Sequence, residues 1–169
     1  MAPQKMILLV FCLLSAAIAY GDSTDSAGNC VYTVYIRTGS IWKAGTDSNI
    51  SLALLNPLGG EVFIDNLEAW GGLMGPSYDY FERGNLDIFS GRGPCLESPP
   101  CRMVLASDGT GPHHGWYCNY VEVTYSGPHM SCNQKLFTVE QWLATDTAPY
   151  DLTAVNDQCS YDQPTISQF

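Results

Sequence analysis

Basic residues are scarce in this sequence. Its 169 residues include seven lysines and arginines against seventeen aspartates and glutamates, and the formal net charge is −10 at pH 7. Proteins that bind nucleic acids neutralise backbone phosphates with lysine and arginine, and anionic lipid surfaces attract the same side chains. The composition therefore argues against nucleic acid as a partner, and it offers no basic cluster for an anionic membrane.

Long hydrophobic runs are absent except near the start of the chain. There, Lys5 precedes the run MILLVFCLLSAAIA, which ends in the small–x–small pattern Ala17-Ile18-Ala19. The run is shorter than the ~20 residues that a membrane-spanning helix needs, and its pattern is typical of a secretory signal peptide. We therefore predict a signal peptide over residues 1–19, with a retained signal anchor as the alternative.

Signals of catalysis are also few. The sequence holds three histidines and no GxSxG nucleophile elbow. The adjacent pair His113-His114 follows Asp108 in a turn-rich stretch, but neighbouring side chains on a strand point to opposite faces. We therefore predict that the protein is not an enzyme, and a small secretory-pathway enzyme that uses this histidine pair remains the alternative.

Cysteine is more frequent. Cys12 lies in the predicted signal peptide, and the six that remain suggest three disulfides, the usual state in a secreted chain. Cys95 and Cys101 lie close together in a proline-rich stretch and are the first predicted pair, and Cys30–Cys159 is the second. A zinc site is disfavoured because the cysteines show no paired CxxC or Cys-His spacing. A free buried thiol is the alternative for Cys118.

Alternation of apolar and polar residues predicts short β-strands. Tyr32, Val34 and Ile36 alternate with polar neighbours in a strand that begins at Val31 and ends before Gly39. Six further strands are predicted at residues 50–55, 61–65, 84–90, 102–107, 116–125 and 136–139. Residues 66–80, rich in glycine and aromatic residues, are predicted to form a long surface loop.

Strands at this spacing, without a long helical period, are typical of an antiparallel β-sandwich. We predict an all-β fold with one domain over residues 30–146. A flexible arm over residues 20–29 precedes this domain, and a polar tail over residues 147–169 follows it.

Four motifs together resemble the PLAT domain, a β-sandwich module attached to lipoxygenases, some lipases and polycystin-type membrane proteins. In order, they read TGSIWKAGTDSNISL, YDYFERGNLDIFS, HHGWYCNYVEV and FTVEQWLATD. The resemblance extends from about residue 31 to residue 146 and implies two four-stranded sheets. The signal peptide and lone domain further resemble the stand-alone plant PLAT proteins associated with stress.

The resemblance implies a non-catalytic module that binds a protein or a lipid membrane, with calcium as an aid. In a plant, the predicted location is the secretory pathway, either the extracellular apoplast or the endoplasmic reticulum. The chain ends Ser167-Gln168-Phe169 without a KDEL-type signal, so export is the default expectation. An alternative role is that of a binding subunit for a separate lipase or lipoxygenase.

The resemblance also implies calcium ligands in two loops. Oxygen atoms are the ligands that calcium prefers, and it takes six to eight of them. Ser48 and Tyr80 occupy positions that are acidic in some relatives, so one ion is expected rather than two. Asp108 is an additional candidate, and an ion pair between Glu82 and Arg83 is the structural alternative. The predicted ligands are Ala44, Gly45, Asp47, Asp79 and Glu82.

PLAT domains contact membranes through aromatic side chains near the cation site, and tryptophan suits a membrane interface because its ring is apolar with one polar edge. Trp42 lies in the first motif, near the predicted cation site, and is therefore a predicted membrane contact. The alternative is that its ring packs against the rest of the protein. Trp116 and Trp142 are predicted to serve the core. The predicted contact residues are Trp42, Trp70, Leu73 and Met74.

Asn49 begins the sequon Asn49-Ile50-Ser51, a glycosylation signal in a secreted chain. It lies beside the predicted cation loop, where a glycan would obstruct flat docking on a membrane. This position mildly favours a protein partner over a bilayer.

Overall fold

The computed structural model describes residues 29–160, which form eight strands and one short helix. The predicted signal peptide, nearly all of the predicted arm and residues 161–169 of the predicted tail lie outside the described residues. The elements are β1 (Asn29–Thr38), β2 (Ile50–Leu55), β3 (Glu61–Ile64), α1 (Leu67–Gly71), β4 (Leu86–Pro94), β5 (Arg102–Ser107), β6 (Trp116–Gly127), β7 (Met130–Leu143) and β8 (Thr153–Asp157).

The strands form two four-stranded antiparallel sheets, ordered β4-β1-β6-β7 and β3-β2-β5-β8. This arrangement confirms the predicted sandwich. The inner faces of both sheets supply the core, as the alternation in β1 shows: Tyr32, Val34 and Ile36 are fully buried. Val34 lies opposite Val123 on β6 and Phe89 on β4. Because side chains alternate across a strand, this register places polar residues of β1 on the outer face.

Strand β8 lies in the segment that was predicted to be a tail, so the predicted domain end at residue 146 is too early. It pairs with β5 from Ala106↔Thr153 to Arg102↔Asp157 and completes the second sheet. Its sequence, TAVND, carries one buried residue, Ala154. Such a short and mostly polar edge strand gives little alternation to detect from sequence.

Strand β7 is also longer than predicted, extending over Met130–Leu143 rather than residues 136–139. It is the last strand of its sheet, with hydrogen-bonded pairing to β6 alone. The early residues, MSCNQK, are mostly polar and lack the alternation of a half-buried strand. These residues form a strand because they pair with β6, and the sequence of β7 alone does not reveal that pairing.

A helix, α1, occupies part of the segment that was predicted to be an irregular loop. Asn66 caps it, because its side-chain oxygen accepts a hydrogen bond of 2.7 Å from the Ala69 N–H. Leu67 is fully buried and anchors the helix to the core. Within residues 29–160 no helix has the length and apolar character needed to span a membrane.

The two disulfides differ from the predicted pairing, although the four predicted cysteines are all used. Cys30 bonds to Cys95, and Cys101 bonds to Cys159. Strand register is the reason. The β1–β4 pairing places Cys30 opposite Gly93, near Cys95, and the β5–β8 pairing places Arg102 opposite Asp157, near the second pair.

The third expected disulfide is not formed among the described residues. Cys118 is a buried free thiol on β6, as the alternative interpretation allowed, and Cys132 is an exposed free thiol on β7. Burial raises the pKa of the Cys118 thiol far above its usual range. This side chain therefore behaves as a small apolar core residue.

Candidate functional site

Three carboxylates meet at one end of the sandwich. Asp47 comes from the first loop, residues 39–49, and Asp79 and Glu82 come from the second loop, residues 72–85. Each offers one oxygen atom, and these three atoms lie within 4.8 Å of one another. The loops are distant in sequence, yet the structure brings together the three acidic residues that were predicted as ligands.

Backbone hydrogen bonds tie the first loop to the second. Gly84 donates to the Gly39 carbonyl at 3.0 Å, and Thr46 donates to the Phe81 carbonyl at 3.3 Å. Thr38, at the end of β1, donates to the Asn85 carbonyl at 3.0 Å. These hydrogen bonds hold the two loops together. They therefore fix the position of Asp47, on the first loop, relative to Asp79 and Glu82, on the second.

The other two predicted ligands have structural roles. Ala44 is fully buried, and its carbonyl accepts a hydrogen bond of 3.0 Å from the Tyr117 N–H, which ties the first loop to β6. At Gly45, an added Cβ would lie 3.0 Å from the Arg83 nitrogen and 3.2 Å from the Glu82 Cα. Glycine at this position therefore permits the close approach of the two loops.

The second loop is anchored in the core through Phe81. Its ring packs edge-on against Trp116, with 5.3 Å between ring centroids, and stacks with Phe89 at 5.4 Å. Its backbone has φ of +59°, an uncommon value for a residue with a side chain. The Phe81 N–H donates a hydrogen bond of 2.8 Å to Asp87 Oδ2, which fixes this conformation below the acidic cluster.

Asp87 is fully buried beneath this loop. Burial raises the pKa of its carboxyl, and the hydrogen bond from Phe81 partly opposes that effect. A carboxyl whose pKa is higher in the folded state binds more protons there, so its contribution to stability falls as the pH rises above its unfolded pKa.

We expect an Asp87→Asn variant to gain stability relative to the wild type as the pH rises from about 4 to about 7, because it retains an acceptor for Phe81 but cannot ionise. Urea unfolding across this range measures the difference. Asp65→Asn, which removes an exposed carboxylate, controls for the loss of one charge. A stability of Asp87→Asn that fell relative to the wild type as the pH rose would contradict the expectation.

A third loop, residues 108–115, reaches the acidic cluster through a histidine. His113 Nδ1 lies 3.2 Å from Asp47 Oδ2, and Ser48 Oγ donates to the Thr110 carbonyl at 2.6 Å. His114 Nε2 lies 4.0 Å from Asp146 Oδ2, beyond the end of β7. The sequence suggests the two histidines with Asp108 as a metal or acid–base site and does not predict this contact with Asp47, although HHG opens the third motif.

Asp108, Tyr80 and Ser48 lie outside the cluster. Asp108 Oδ1 accepts hydrogen bonds from the backbone of Thr110 at 2.9 Å and Asn49 at 3.2 Å, and the Thr110 bond lowers the pKa of the Asp108 carboxyl. The Tyr80 hydroxyl accepts from the Met74 N–H at 2.8 Å. These side chains shape the loops around the cluster and add no ligand to it.

Trp42 is the most exposed large apolar side chain of the described residues, at 76 %. The Arg83 guanidinium carbon lies 5.8 Å from the centre of its ring, within cation–π range. Ile41 beside it is 43 % exposed. Arg83 therefore contacts Trp42, and none of the ion pairs among residues 29–160 joins it to Glu82.

The three other predicted contact residues differ in exposure. Trp70 is partly buried against the core and lies so close to Gly91 that a Cβ there would clash with its ring. Leu73 and Met74 are exposed at 59 % and 38 %, but the Leu73 N–H donates to the Ile88 carbonyl at the outer edge of β4. Trp70 is half-buried, which agrees with the alternative of ordinary packing, and its role as a contact residue stays a prediction.

A cleft with a volume of about 850 Å³ runs beside the acidic cluster. Trp42 and Trp142 both line it. Trp142 was predicted to be a core residue, but it is only half-buried, and its ring packs edge-on against Tyr117 at 5.5 Å. The remaining lining residues are Lys43, Gly45, Asp47, Asp79, Glu82, Arg83, Pro112, His113, His114, Gly115, Asp146 and Thr147.

Asn49 is exposed at the junction of the first loop with β2. Its Nδ2 atom donates a hydrogen bond of 3.2 Å to the Asp65 carbonyl. The asparagine of the predicted sequon is therefore accessible, in the same loop as Asp47 of the acidic cluster.

Comparison with known proteins identifies the family. The chain is 59 % identical over 156 residues to PLAT domain-containing protein 1 of Arabidopsis thaliana, covering 92 % of this chain and 86 % of that protein. This chain belongs to the PLAT-domain proteins. The PLAT domain-containing protein 3 of Arabidopsis thaliana is 62 % identical over 104 residues, which is 61 % of this chain and all of that protein. A family model described as Embryo-specific protein 3 (ATS3) matches residues 17–147.

Solved structures support the PLAT fold. A lipoxygenase variant crystallised with arachidonate superposes with a TM-score of 0.54 at 20 % identity, covering 75 % of this chain and 16 % of that chain. At this identity the likeness concerns the fold alone. The chain therefore matches a small part of a lipoxygenase, and the PLAT domain, named in the Arabidopsis relatives, is typically non-catalytic.

Proposed function

We propose that this protein is a non-catalytic docking module that binds one calcium ion through Asp47, Asp79 and Glu82. The bound ion would support contact with a lipid surface or a protein partner at the same end. The observation that carries this proposal is the approach of three carboxylate oxygens to within 4.8 Å of one another. Carboxylates at this distance repel one another. A divalent cation bound between them attracts all three and offsets that repulsion.

Calcium needs more oxygen atoms than three carboxylates offer singly. Bidentate carboxylates and water complete six to eight ligands in such sites. The Ala44 carbonyl accepts the Tyr117 N–H and keeps a second lone pair, so the carbonyls of Ala44 and Gly45 are further proposed ligands beside the three acidic side chains.

The proposed contact surface is the tip of the first loop, where Ile41 and Trp42 are exposed. An indole ring next to bound calcium can enter the interface of a bilayer, and the cation offsets the negative charge of the protein. A protein partner is the second candidate, because Asn49 is exposed nearby and a glycan there would hinder flat contact with a bilayer.

The proposed setting is the secretory pathway of a plant and the space outside the cell, with a role in stress. The disulfides Cys30–Cys95 and Cys101–Cys159 support passage through an oxidising compartment. A role as the binding subunit of a separate lipase or lipoxygenase is a variant of the same proposal, and affinity capture from secretory-pathway extracts would test it.

Calcium titration monitored by melting temperature tests the proposal. An ion that binds only the folded state at about 100 times its dissociation constant adds about 2.7 kcal/mol, which corresponds to roughly 5–10 °C for a domain of this size. Asp47→Asn and Glu82→Gln should each remove most of this shift. Glu61→Gln changes an exposed carboxylate at the opposite end of the sandwich and should retain it.

An unchanged melting temperature in the wild type with millimolar calcium would contradict the proposal. An equal shift in Asp47→Asn and Glu61→Gln would place the ion elsewhere. The enzyme alternative requires His113 and His114, so loss of a measured activity in a double alanine variant would revive it.

A further inference from the structure

We propose that the cleft lined by Trp42 and Trp142 binds a neutral oligosaccharide. This inference goes beyond the docking function, because it concerns a soluble ligand held inside the cleft and does not require a bound cation. It rests on the two tryptophans that line the cleft, on the mixture of hydrogen-bonding groups among its other lining residues and on the size of the cleft.

The aromatic walls are suited to sugar rings. A pyranose presents weakly positive C–H groups on its flat faces, and these pack on the negative face of an indole ring. Trp42 is 76 % exposed, so much of its surface is open to a ligand. Exposure of this extent leaves apolar surface in water that a sugar face would cover.

Trp142 is held in place for such a contact. Tyr117 packs edge-on against its ring with an interplanar angle of 72°. The Tyr117 hydroxyl donates to Glu140 Oε2 at 3.2 Å, and Asn119 Nδ2 donates to the same oxygen at 2.9 Å. A ring braced in this way loses little conformational entropy when a ligand packs on it.

The polar groups of the cleft combine donors and acceptors. Lys43 and Arg83 are donors, and Asp146, whose carboxylate is not among the proposed calcium ligands, is an acceptor. A sugar hydroxyl donates and accepts at once, so a row of hydroxyls can pair with both kinds of side chain. A neutral sugar also adds no charge to a cleft whose lining already contains positive and negative side chains.

A phospholipid headgroup fits the interior of the cleft less well. Its phosphate accepts hydrogen bonds and carries negative charge, which the carboxylates around the cleft repel. A choline group can pack on the tryptophans and near the carboxylates, but it accepts no hydrogen bond from Lys43 or Arg83. The chemistry of the cleft therefore favours a ligand with many hydroxyls.

The dimensions agree with this ligand class. The cleft volume of about 850 Å³ lies within the range of roughly 300–1,000 Å³ that is usual for small-molecule sites. The cleft is open to solvent, so a chain of sugar rings can extend beyond it.

Calorimetric titration of the full protein with cellohexaose, xylohexaose and mannohexaose tests the proposal, in calcium and separately in EDTA. We expect one of these probes to bind with a dissociation constant below about 1 mM, with a change in tryptophan fluorescence. Trp42→Ala and Asp146→Ala should each weaken that binding by about tenfold or more. Phe63→Ala removes an aromatic side chain that is 65 % exposed on the other sheet and should not weaken it.

Absence of binding by all three probes at about 10 mM would overturn the proposal. Equal binding by Trp42→Ala and Phe63→Ala would overturn the placement in this cleft. Association with phosphatidylcholine vesicles that requires Trp42, without oligosaccharide binding, would assign the cleft to lipid. Oligosaccharide binding in EDTA by a protein that calcium does not stabilise would support this inference and contradict the calcium proposal, and the opposite pattern would do the reverse.

Discussion

Replacing Cys30 and Cys95 together by alanine is expected to lower the free energy of unfolding by about 4 kcal/mol, the value of the chain-entropy relation for a loop of this length. The bond joins residues 65 positions apart, so it removes many conformations from the unfolded chain. Cys101 and Cys159 are 58 positions apart and should have a similar effect. Each bond also connects strands at the end of the sandwich opposite the acidic cluster.

Urea unfolding of the two double-alanine variants measures this effect. Cys132→Ala, which removes an exposed free thiol, is the matched control and should change stability by less than about 0.5 kcal/mol. Peptide mapping of the unreduced protein should recover the Cys30–Cys95 and Cys101–Cys159 linkages. A peptide in which Cys95 is joined to Cys101 would contradict the structure.

Replacing Trp116 by alanine is expected to lower stability by about 3–5 kcal/mol and also to weaken calcium binding. Trp116 is fully buried, and its Nε1–H donates to Thr38 Oγ1 at 3.0 Å. Its ring supports Phe81, next to the proposed ligand Glu82. The cavity left by the variant removes support from the second loop, so the carboxylates lose their fixed spacing.

The matched control is Phe137→Ala. Phe137 is fully buried on β7 opposite Val121, away from the second loop. It should cost a comparable amount of stability but leave calcium affinity near that of the wild type, as measured by calorimetry below both melting temperatures. Trp116→Phe, which keeps a ring against Phe81, provides a milder variant if the alanine variant does not fold. Equal calcium affinities in the Trp116 and Phe137 variants would contradict the coupling.

Much of the fold could be predicted because alternation is local. The bounds of β2 and β5 agree with the predicted ranges 50–55 and 102–107: β5 alternates half-buried and buried residues, and β2 does so apart from buried Ala53. Strands β7 and β8 carry a weaker signal, because they lie at sheet edges and much of their length is polar. Their structure depends on the strands beside them.

The acidic side chains of the candidate site could be predicted from family motifs, but not its full composition. Asp47, Asp79 and Glu82 stand in two recognisable motifs and lie together in the structure. His113 joins Asp47 across 66 positions of sequence, and Trp142 reaches the cleft from the end of β7. Neither placement follows from a local pattern.

By itself, the sequence determined the class of fold, the family and the three acidic residues of the candidate site. Periodicity and motifs are properties of neighbouring residues, so they can be recognised without a structure. Only the tertiary structure decided which cysteines pair, which tryptophans remain exposed and which histidine meets the carboxylates. The physical reason is register: a hydrogen-bonded strand pair brings specific distant residues together, and that choice depends on the whole set of contacts.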